Sequence, residues 1–452
     1  MWRLIEMISS LSQLLLPFNY FIKSGTLLPH AMSKRSSILL FLTLGLFFAS
    51  LPWYNFSAVA PELAKEFGLS ASQIGAIISA FQMGYVVVVL FTGWLSDKIG
   101  PKRVIVTATL LAGVFSTLFA LIANTFSSIL ILRVLSGLAT GAIYVPGMAL
   151  LTQWFAANER GKALSLFTVA IPLAGAASYL VTGWFAARWG WRAGILATSL
   201  PAFIGFFCVA LLVQERRQAK DPDADAAAIS TRMARATVFK WSMMVPAVLI
   251  TTAYMGHMWE LYGHNSWLGP FLHSALLAAG GDVTKAVAQS GMLASVSIFV
   301  GVPATMLCGI LADKYGRIRI IMLSSMASFV GTCLVGFSHG RPMGMVVAVS
   351  MWIGAWVIAD TAMYKAVLTE VVPERFLGTA LGLQSVAGFG MTALSPATFG
   401  VLLERYNPGQ IVADAALWWP SYLALALPAL LAPLATTMLM LWQRRHPGEV
   451  WP

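Results

Sequence analysis

Charged residues are scarce in this 452-residue chain, making up 10% of it against about 25% in typical soluble domains. Hydrophobic residues make up 58%, and a soluble core of this length could not bury so much apolar surface. The shortage of charge therefore excludes an ordinary soluble protein. It indicates that most of the chain is in contact with lipid.

Cysteine is also scarce. The three cysteines, Cys208, Cys308 and Cys333, all lie inside apolar runs. We interpret them as small packing residues, since they form no disulfide framework or zinc-cluster spacing. HExxH, GxSxG and paired-aspartate motifs are missing too, so nothing in the sequence predicts an enzyme, a metal site or a cofactor.

Positive charge is in excess, with 29 Lys and Arg against 18 Asp and Glu. Nucleic-acid binding would require these residues to cluster on a soluble face, whereas here they lie between long apolar runs. Nucleic acid is therefore not expected as a partner. Most of the basic residues fall in the N-terminal segment and every second loop, which predicts that both termini are cytoplasmic and that the protein lies in the cell's inner (plasma) membrane.

Twelve apolar runs are long enough to cross a bilayer, which takes about 20 residues. None shows the period-2 alternation of a barrel strand, so helices are predicted. The predicted spans, numbered 1 to 12, are 36–59, 72–95, 103–124, 126–152, 162–186, 193–214, 241–264, 287–311, 318–338, 343–369, 376–402 and 416–442.

The spans divide into two predicted six-helix halves, 32–214 and 241–442. A polar cytoplasmic linker at 215–240 joins them, and a cytoplasmic tail follows at 443–452. Residues 1–31 have two interpretations, an interfacial amphipathic extension or an upstream start without function. Two six-span halves are typical of alternating-access carriers.

A short polar motif occurs once in each half, as "GWLSDKIGPKR" and as "GILADKYGRIR". The first glycine permits close helix approach, and the second permits a tight turn. The aspartate can accept hydrogen bonds from a helix N-terminus in the opposite half. Residues that only set topology would not require the aspartates and glycines. We therefore predict a conformational latch that forms in one state and breaks in another, made of Gly93, Asp97, Gly100, Arg103, Gly309, Asp313, Gly316 and Arg317.

This motif resembles the loop signature Gly-x-Leu-x-Asp-x-x-Gly-basic of the major facilitator superfamily (MFS), with Pro101 as a departure. A second family motif, Arg-x-x-Gln-Gly, is matched from Arg133 to Gly137, with Ser136 in place of Gln. The Gly-Pro pair of many exporters and the paired arginines of nitrate carriers are missing. The resemblance implies an all-α polytopic membrane protein, with twelve transmembrane helices in two pseudo-symmetric six-helix bundles around one cavity.

Ionisable residues inside a span mark functional sites by default. The resemblance links Arg133 in span 4 to proton movement; the alternative is a structural arginine bound to helix carbonyls. In span 7, His257, Glu260 and His264 share one helical face. A zinc site there is disfavoured because the two histidines are about 10 Å apart along the axis. We predict instead a cavity wall in which Glu260 exchanges a proton or contacts substrate, with His257 as relay and Arg133 as partner across the cavity.

Span 10 carries Trp352, Trp356, Asp360 and Tyr364 at four-residue intervals. Such a stripe is often packing, but the aspartate favours a face on the cavity. The next residue, Lys365, is predicted to reach the headgroups. In span 1, two polar residues lie unusually deep, which predicts that they line the cavity: Tyr54 and Asn55.

These features predict a secondary active transporter of a small organic anion or zwitterion, coupled to protons. Glu260 and Asp360 are the predicted coupling carboxylates. The expected partners are substrate, protons and the lipid bilayer, with the protein as a monomer. The alternative is a proton-driven exporter of amphiphilic, drug-like compounds, suggested by the aromatic candidates and the many methionines.

Overall fold

The computed structural model describes residues 34–216 and 244–446. The predicted extension at 1–31, nearly all of the linker and the end of the tail lie outside these residues. Within them, all regular structure is helical. The α-helices are Lys34–Ser50, Asn55–Phe67, Ala71–Ile99, Pro101–Ile122, Phe126–Thr152, Ala157–Thr168, Ala170–Trp189, Trp191–Ser199, Pro201–Phe207, Met244–Ala278, Val283–Tyr315, Arg317–Ser338, Met343–Trp356, Thr361–Val371, Glu374–Tyr406, Trp419–Ala429 and Leu431–Arg445.

Twelve spans are formed by these helices. Eleven helical segments of the described chain are long and apolar enough to cross a membrane, and the 35-residue helix Met244–Ala278 is span 7. Spans 1, 5, 6, 10 and 12 each contain two consecutive α-helices, while the other spans are single helices. The predicted all-α membrane fold of twelve helices in two bundles is confirmed.

Span 7 is longer than the sequence predicts. It was expected to end at residue 264, yet the helix continues to Ala278. Polar residues such as His264 and His273 interrupt the apolar run. However, every residue from Gly263 to Ala275 is buried, so neighbouring helices replace lipid as its surroundings. Hydropathy therefore underestimates the length of this span, because it measures compatibility with lipid.

The spans turn tightly at the two motif copies. Gly100 and Gly316 each separate two helices, with φ values of 90° and 92°, a region that favours glycine. These φ values fit the tight turn that the sequence predicts at the second glycine of each motif copy. The loops at these glycines lie on the side of the molecule where the described chain begins and ends, here called the basic face. The other side is the distal face.

The two halves pack closely near the distal face, where span 2 contacts span 11 and span 5 contacts span 8. A Cβ at Gly75 would lie 2.6 Å from the carbonyl oxygen of Pro396, and a Cβ at Gly183 would lie 2.8 Å from that of Val287. A side chain at either position would collide with the backbone of the facing helix, so glycine permits the close approach of these helices. The distal side is therefore closed.

The close packing between the halves does not extend to the first motif glycines near the basic face. An added Cβ at Gly93 or at Gly309 would have no neighbour within 4 Å, so the close approach predicted at the first motif glycines is not present in this conformation. The molecule is thus closed on its distal side and open toward its basic side.

Candidate functional site

A cavity of about 400 Å³ lies between the halves on the open side, within the usual range for small-molecule sites. Spans 2, 4, 10 and 11 form its walls. The rings of Tyr85, Tyr144 and Phe389 contribute to the lining, together with Lys365, Ser385, a glycine, and valine, leucine and methionine side chains. The walls are therefore mostly apolar and come from both halves.

Lys365 is the one charged residue in this lining. The sequence predicted that it extends to the headgroups, and the structure instead places it on the cavity. Span 10 is broken between Trp356 and Thr361. This break resets the helical phase, so a projection on one straight helix misplaces the residues that follow it.

His257 of span 7 and Asp360 of span 10 are brought together. Their Nδ1 and Oδ1 atoms are 3.0 Å apart, with only 3% and 1% of the side chains exposed. The Tyr364 hydroxyl donates to Asp360 Oδ2 at 2.8 Å, and Thr361 Oγ1 lies 3.0 Å from His257 Nε2. Three residues singled out from sequence thus form one buried cluster at the break in span 10.

Glu260 lies one helical turn from His257 and is bound to span 9. Its Oε1 accepts a hydrogen bond from Thr332 at 2.6 Å, and its Oε2 accepts one from Ser328 at 2.9 Å. Neither of these two hydroxyl residues was predicted from the sequence. Their spacing of four residues in a membrane helix was the available signal, because it places both on one face.

Arg133 is held within the N-terminal half. Its guanidinium donates to the carbonyl oxygens of Pro52 at 3.0 Å and Trp53 at 3.2 Å, and to Asn55 Oδ1 at 3.3 Å. It also lies 4.4 Å from the Phe81 ring centroid. The break in span 1 exposes these carbonyls. This geometry supports the structural alternative for Arg133, and the predicted pairing across the cavity is not present in this conformation.

Tyr54 and Asn55 lie elsewhere than the predicted cavity wall. Asn55 is fully buried, and its Nδ2 donates to Thr198 Oγ1 at 3.2 Å. Tyr54 stacks on Tyr179 at 5.5 Å, and the Tyr179 hydroxyl donates to the Asn265 carbonyl of the other half at 2.6 Å. Tyr54 is therefore part of the distal closure.

The aromatic stripe of span 10 is divided by the helix break. Trp352 is 48% exposed, and its Nε1 donates to the Ala327 carbonyl. Trp356 packs against Trp352, with ring centroids 5.8 Å apart, and is not in the cavity lining. Asp360 and Tyr364 follow the break, so the predicted single stripe separates into a lipid-side part and a buried part.

The predicted latch residues lie at the basic face. Asp97 and Asp313 are exposed, as is Arg103. Arg317 forms an ion pair with Glu370 at the end of span 10, within its own half. Among the described residues, neither aspartate has a partner in the opposite half. The latch contact itself stays a prediction for a different conformation.

The third residue of the predicted span 7 face, His264, is separate from the cluster. Its ring lies 6.1 Å from that of Tyr422. In residues 34–216 and 244–446, no group of three or more His, Cys, Asp or Glu side chains is placed to hold a metal ion. The zinc alternative therefore has no geometric support in that part of the chain.

Sequence comparison finds relatives along most of the chain. A protein from Cupriavidus necator named a probable sulfoacetate transporter is 28% identical over 403 residues, covering 83% of this chain and 88% of the relative. The hexuronate transporter of Bacillus subtilis is 24% identical over 361 residues, covering 77% and 83%.

Solved structures share the fold. A D-xylose-proton symporter superimposes with a TM-score of 0.70 at 18% identity, covering 88% of this chain and 96% of the other. A bacterial homologue of the human lysosomal transporter Spinster has a TM-score of 0.68 at 16% identity, covering 94% and 100%. The family model described as Major Facilitator Superfamily matches residues 42–280 and 266–451. With its twelve spans, two halves and duplicated loop motif, the chain belongs to this superfamily.

Proposed function

We propose that the protein carries a small organic anion or zwitterion across the inner membrane by alternating access, coupled to the movement of protons. The substrate class is supported by the relatives, since sulfoacetate and hexuronate are both organic anions. The observation that carries the coupling is the buried His257–Asp360 pair, 3.0 Å apart, at the helix break that precedes Lys365 of the cavity.

Alternating access requires that the site opens to one side at a time. In this conformation the glycine contacts close the distal side, while the cavity lies toward the basic face. Rocking of the two halves about the site would open the distal side and close the basic side. The packing of span 2 on span 11 and of span 5 on span 8 then forms and separates once in each cycle.

Proton exchange at the His257–Asp360 pair would act on the cavity through span 10. The charge on either side chain decides whether the pair attracts, because only a protonated histidine beside an ionised aspartate forms an ion pair. Thr361 and Tyr364, which contact the pair, belong to the helix that carries Lys365. A proton gained or lost at the pair would therefore change the contacts that position this helix, and with it the cavity wall that includes Lys365. Glu260, one turn away, is a second carboxylate within the same region.

The orientation of the protein in the membrane is proposed from the distribution of its basic residues. The basic face carries Lys98, Arg103, Lys314 and Arg317 at the motif loops, and basic loops are retained in the cytoplasm. We therefore propose that the open side faces the cytoplasm, with both termini on that side and with the protein acting as a monomer. The two halves would be 32–214 and 241–442, as the sequence predicts.

Proteoliposome transport tests this function. The protein is reconstituted with a pH gradient, and uptake of labelled organic acids is measured beside the pH of the lumen. We expect one or more acids to accumulate above equilibrium, with a matching proton flux and with loss of accumulation when a protonophore is added. Uptake that stops at equilibrium whatever the gradient would contradict proton coupling, while no flux of any acid would contradict the function.

The alternative function, export of amphiphilic compounds, is supported by the apolar cavity walls. Val86, Val89 and Phe389 present hydrophobic surface there. The two functions differ in the charge they require on Lys365, which an exporter of cationic or neutral amphiphiles would not need. Efflux of a lipophilic cationic dye by vesicles with an imposed pH gradient, unchanged in Lys365→Met, would favour the exporter.

A further inference from the structure

The cavity combines one positive charge with apolar walls. No carboxylate among the described residues lies within ion-pair distance of the Lys365 amine. An ammonium group surrounded by apolar atoms loses part of its hydration, which is unfavourable unless an anion or hydrogen-bond acceptors compensate. Lys365 therefore favours a ligand that brings a negative charge.

The single positive charge in the lining limits the net charge of the ligand. One ammonium balances one carboxylate or sulfonate group. A second negative group of the ligand would lie against valine, leucine and aromatic side chains. Since an unpaired charge is strongly disfavoured in such surroundings, the lining discriminates against dianions.

The walls also limit the body of the ligand. Tyr85 of span 2 and Phe389 of span 11 approach with ring centroids 5.6 Å apart, so aromatic surface from both halves faces the cavity. The lining holds three hydroxyls, those of Tyr85, Tyr144 and Ser385, and that of Tyr144 already bonds Thr168 at 3.2 Å. A polyhydroxylated ligand would lose hydrogen bonds to water that these walls replace only in small part.

We propose that the cavity binds an organic monoanion with a hydrophobic body, with its carboxylate at Lys365 and its body against Tyr85 and Phe389. This inference rests on the proposed function and narrows the organic-anion class at the same site, to a ligand unlike the dianion sulfoacetate and the polyhydroxylated hexuronate named for the relatives. Because Lys365 belongs to the C-terminal half and Tyr85 to the N-terminal half, the ligand contacts both halves. Its binding is thereby linked to their relative position.

Ligand-dependent thermal stabilisation of the full-length purified protein tests the proposal. The probes are benzoate and hexanoate as hydrophobic monoanions, benzamide as the neutral match of benzoate, D-glucuronate as a polyhydroxylated monoanion and succinate as a dianion. We expect benzoate or hexanoate to stabilise the protein most. The proposal would be overturned if D-glucuronate or succinate stabilised the protein more than both benzoate and hexanoate do.

Substitution of Lys365 tests whether its ammonium group binds the carboxylate of the ligand. Lys365→Met should lower the affinity for benzoate about tenfold to a hundredfold, the usual effect of losing a hydrogen bond to a charged group, and should leave benzamide unchanged. Lys365→Arg should keep the preference for benzoate. The matched control is Lys65→Met, since Lys65 is exposed and lies outside the cavity lining. An unchanged benzoate affinity in Lys365→Met would overturn the proposal.

Two features of the design keep the result interpretable. The ratio of the affinities for benzoate and benzamide is measured within each protein, so a general loss of stability does not imitate the effect. Lys365→Gln replaces Lys365→Met if the latter does not fold. Counterflow of labelled benzoate in proteoliposomes separates this inference from the function. Lys365-dependent binding without counterflow would uphold the site and contradict transport.

Discussion

Glu404 of span 11 accepts a hydrogen bond from the backbone N–H of Ser72 in span 2, at 2.9 Å, across the boundary between the halves. Ser72 lies in the first turn of the helix Ala71–Ile99, where backbone N–H groups have no partner within the helix. A carboxylate is favourable there because it also interacts with the helix dipole. The contact predicted for Asp97 at the basic end of span 2 thus has a chemical counterpart at the distal end.

The first prediction is that Glu404→Gln weakens the distal closure. Losing a capping carboxylate costs about 1 kcal/mol, which changes a two-state ratio about fivefold. Ser57→Cys, a buried position beneath the closure, is labelled with an impermeant maleimide from the distal side in a background without native cysteines. The labelling rate should rise. Glu66→Gln, whose native partners Trp191 and Arg192 lie in its own half, should leave it unchanged; equal rates in both variants would exclude the role of Glu404.

The second prediction is that Asp97→Asn strengthens the distal closure, which is the opposite of the effect expected for Glu404→Gln. If Asp97 closes the basic face in the distal-open conformation, Asp97→Asn should stabilise the present conformation instead. The protein should fold and insert, transport should fall, and distal labelling of Ser57→Cys should decrease. The double variant with Glu404→Gln should return toward the wild-type rate. Wild-type flux together with unchanged labelling from both sides would reduce the motif to a topological role.

The third prediction concerns the glycine contacts. Gly75→Ala would place a methyl group 2.6 Å from the Pro396 carbonyl oxygen, and such overpacking costs about 1–3 kcal/mol. The distal-closed conformation should be destabilised, with faster labelling of Ser57→Cys. The matched control is Gly344→Ala, where an added Cβ has open space. A Gly75→Ala variant with wild-type labelling and wild-type thermal stability would show that the halves do not close as tightly as described.

The fourth prediction concerns coupling. Glu260→Gln and Asp360→Asn keep the shape of each side chain and remove its titration. At least one should abolish accumulation driven by a pH gradient while exchange between equal substrate concentrations continues. Asp282→Asn, at an exposed helix cap outside the spans, serves as the control. Accumulation with the wild-type pH profile in both variants would rule out these carboxylates as the coupling groups.

Features imposed by the bilayer could be predicted from sequence. Lipid requires long apolar helices, so the number of spans follows from hydropathy, and tight turns between them require residues such as Gly100 and Gly316. The break in span 1 also has a visible signal in Pro52, at the start of the 3₁₀ turn Leu51–Trp53. These properties depend on one helix or one turn at a time.

The site depends on which helix faces meet, and this could be predicted only in part. His257, Asp360 and Tyr364 were identified because charge in a span is unusual, yet their mutual contact required the structure. The break that places Lys365 on the cavity contains no proline, since residues 357–360 are Val, Ile, Ala and Asp. Glu404 lies at a helix end, where an acidic residue attracts no notice until the partner helix is known.

The buried polar half of span 7 has a consequence for biogenesis. Segments enter the bilayer from the translocon according to their own apolarity, and His257, Glu260 and His264 reduce it in this helix. From Gly263 to Ala275 the helix is surrounded by protein, and those surroundings include span 1, span 11 and span 12. Two of these are synthesised after span 7. We therefore expect span 7 to insert stably only after spans 11 and 12 have been synthesised, so truncation before span 11 should leave span 7 exposed to membrane quality control.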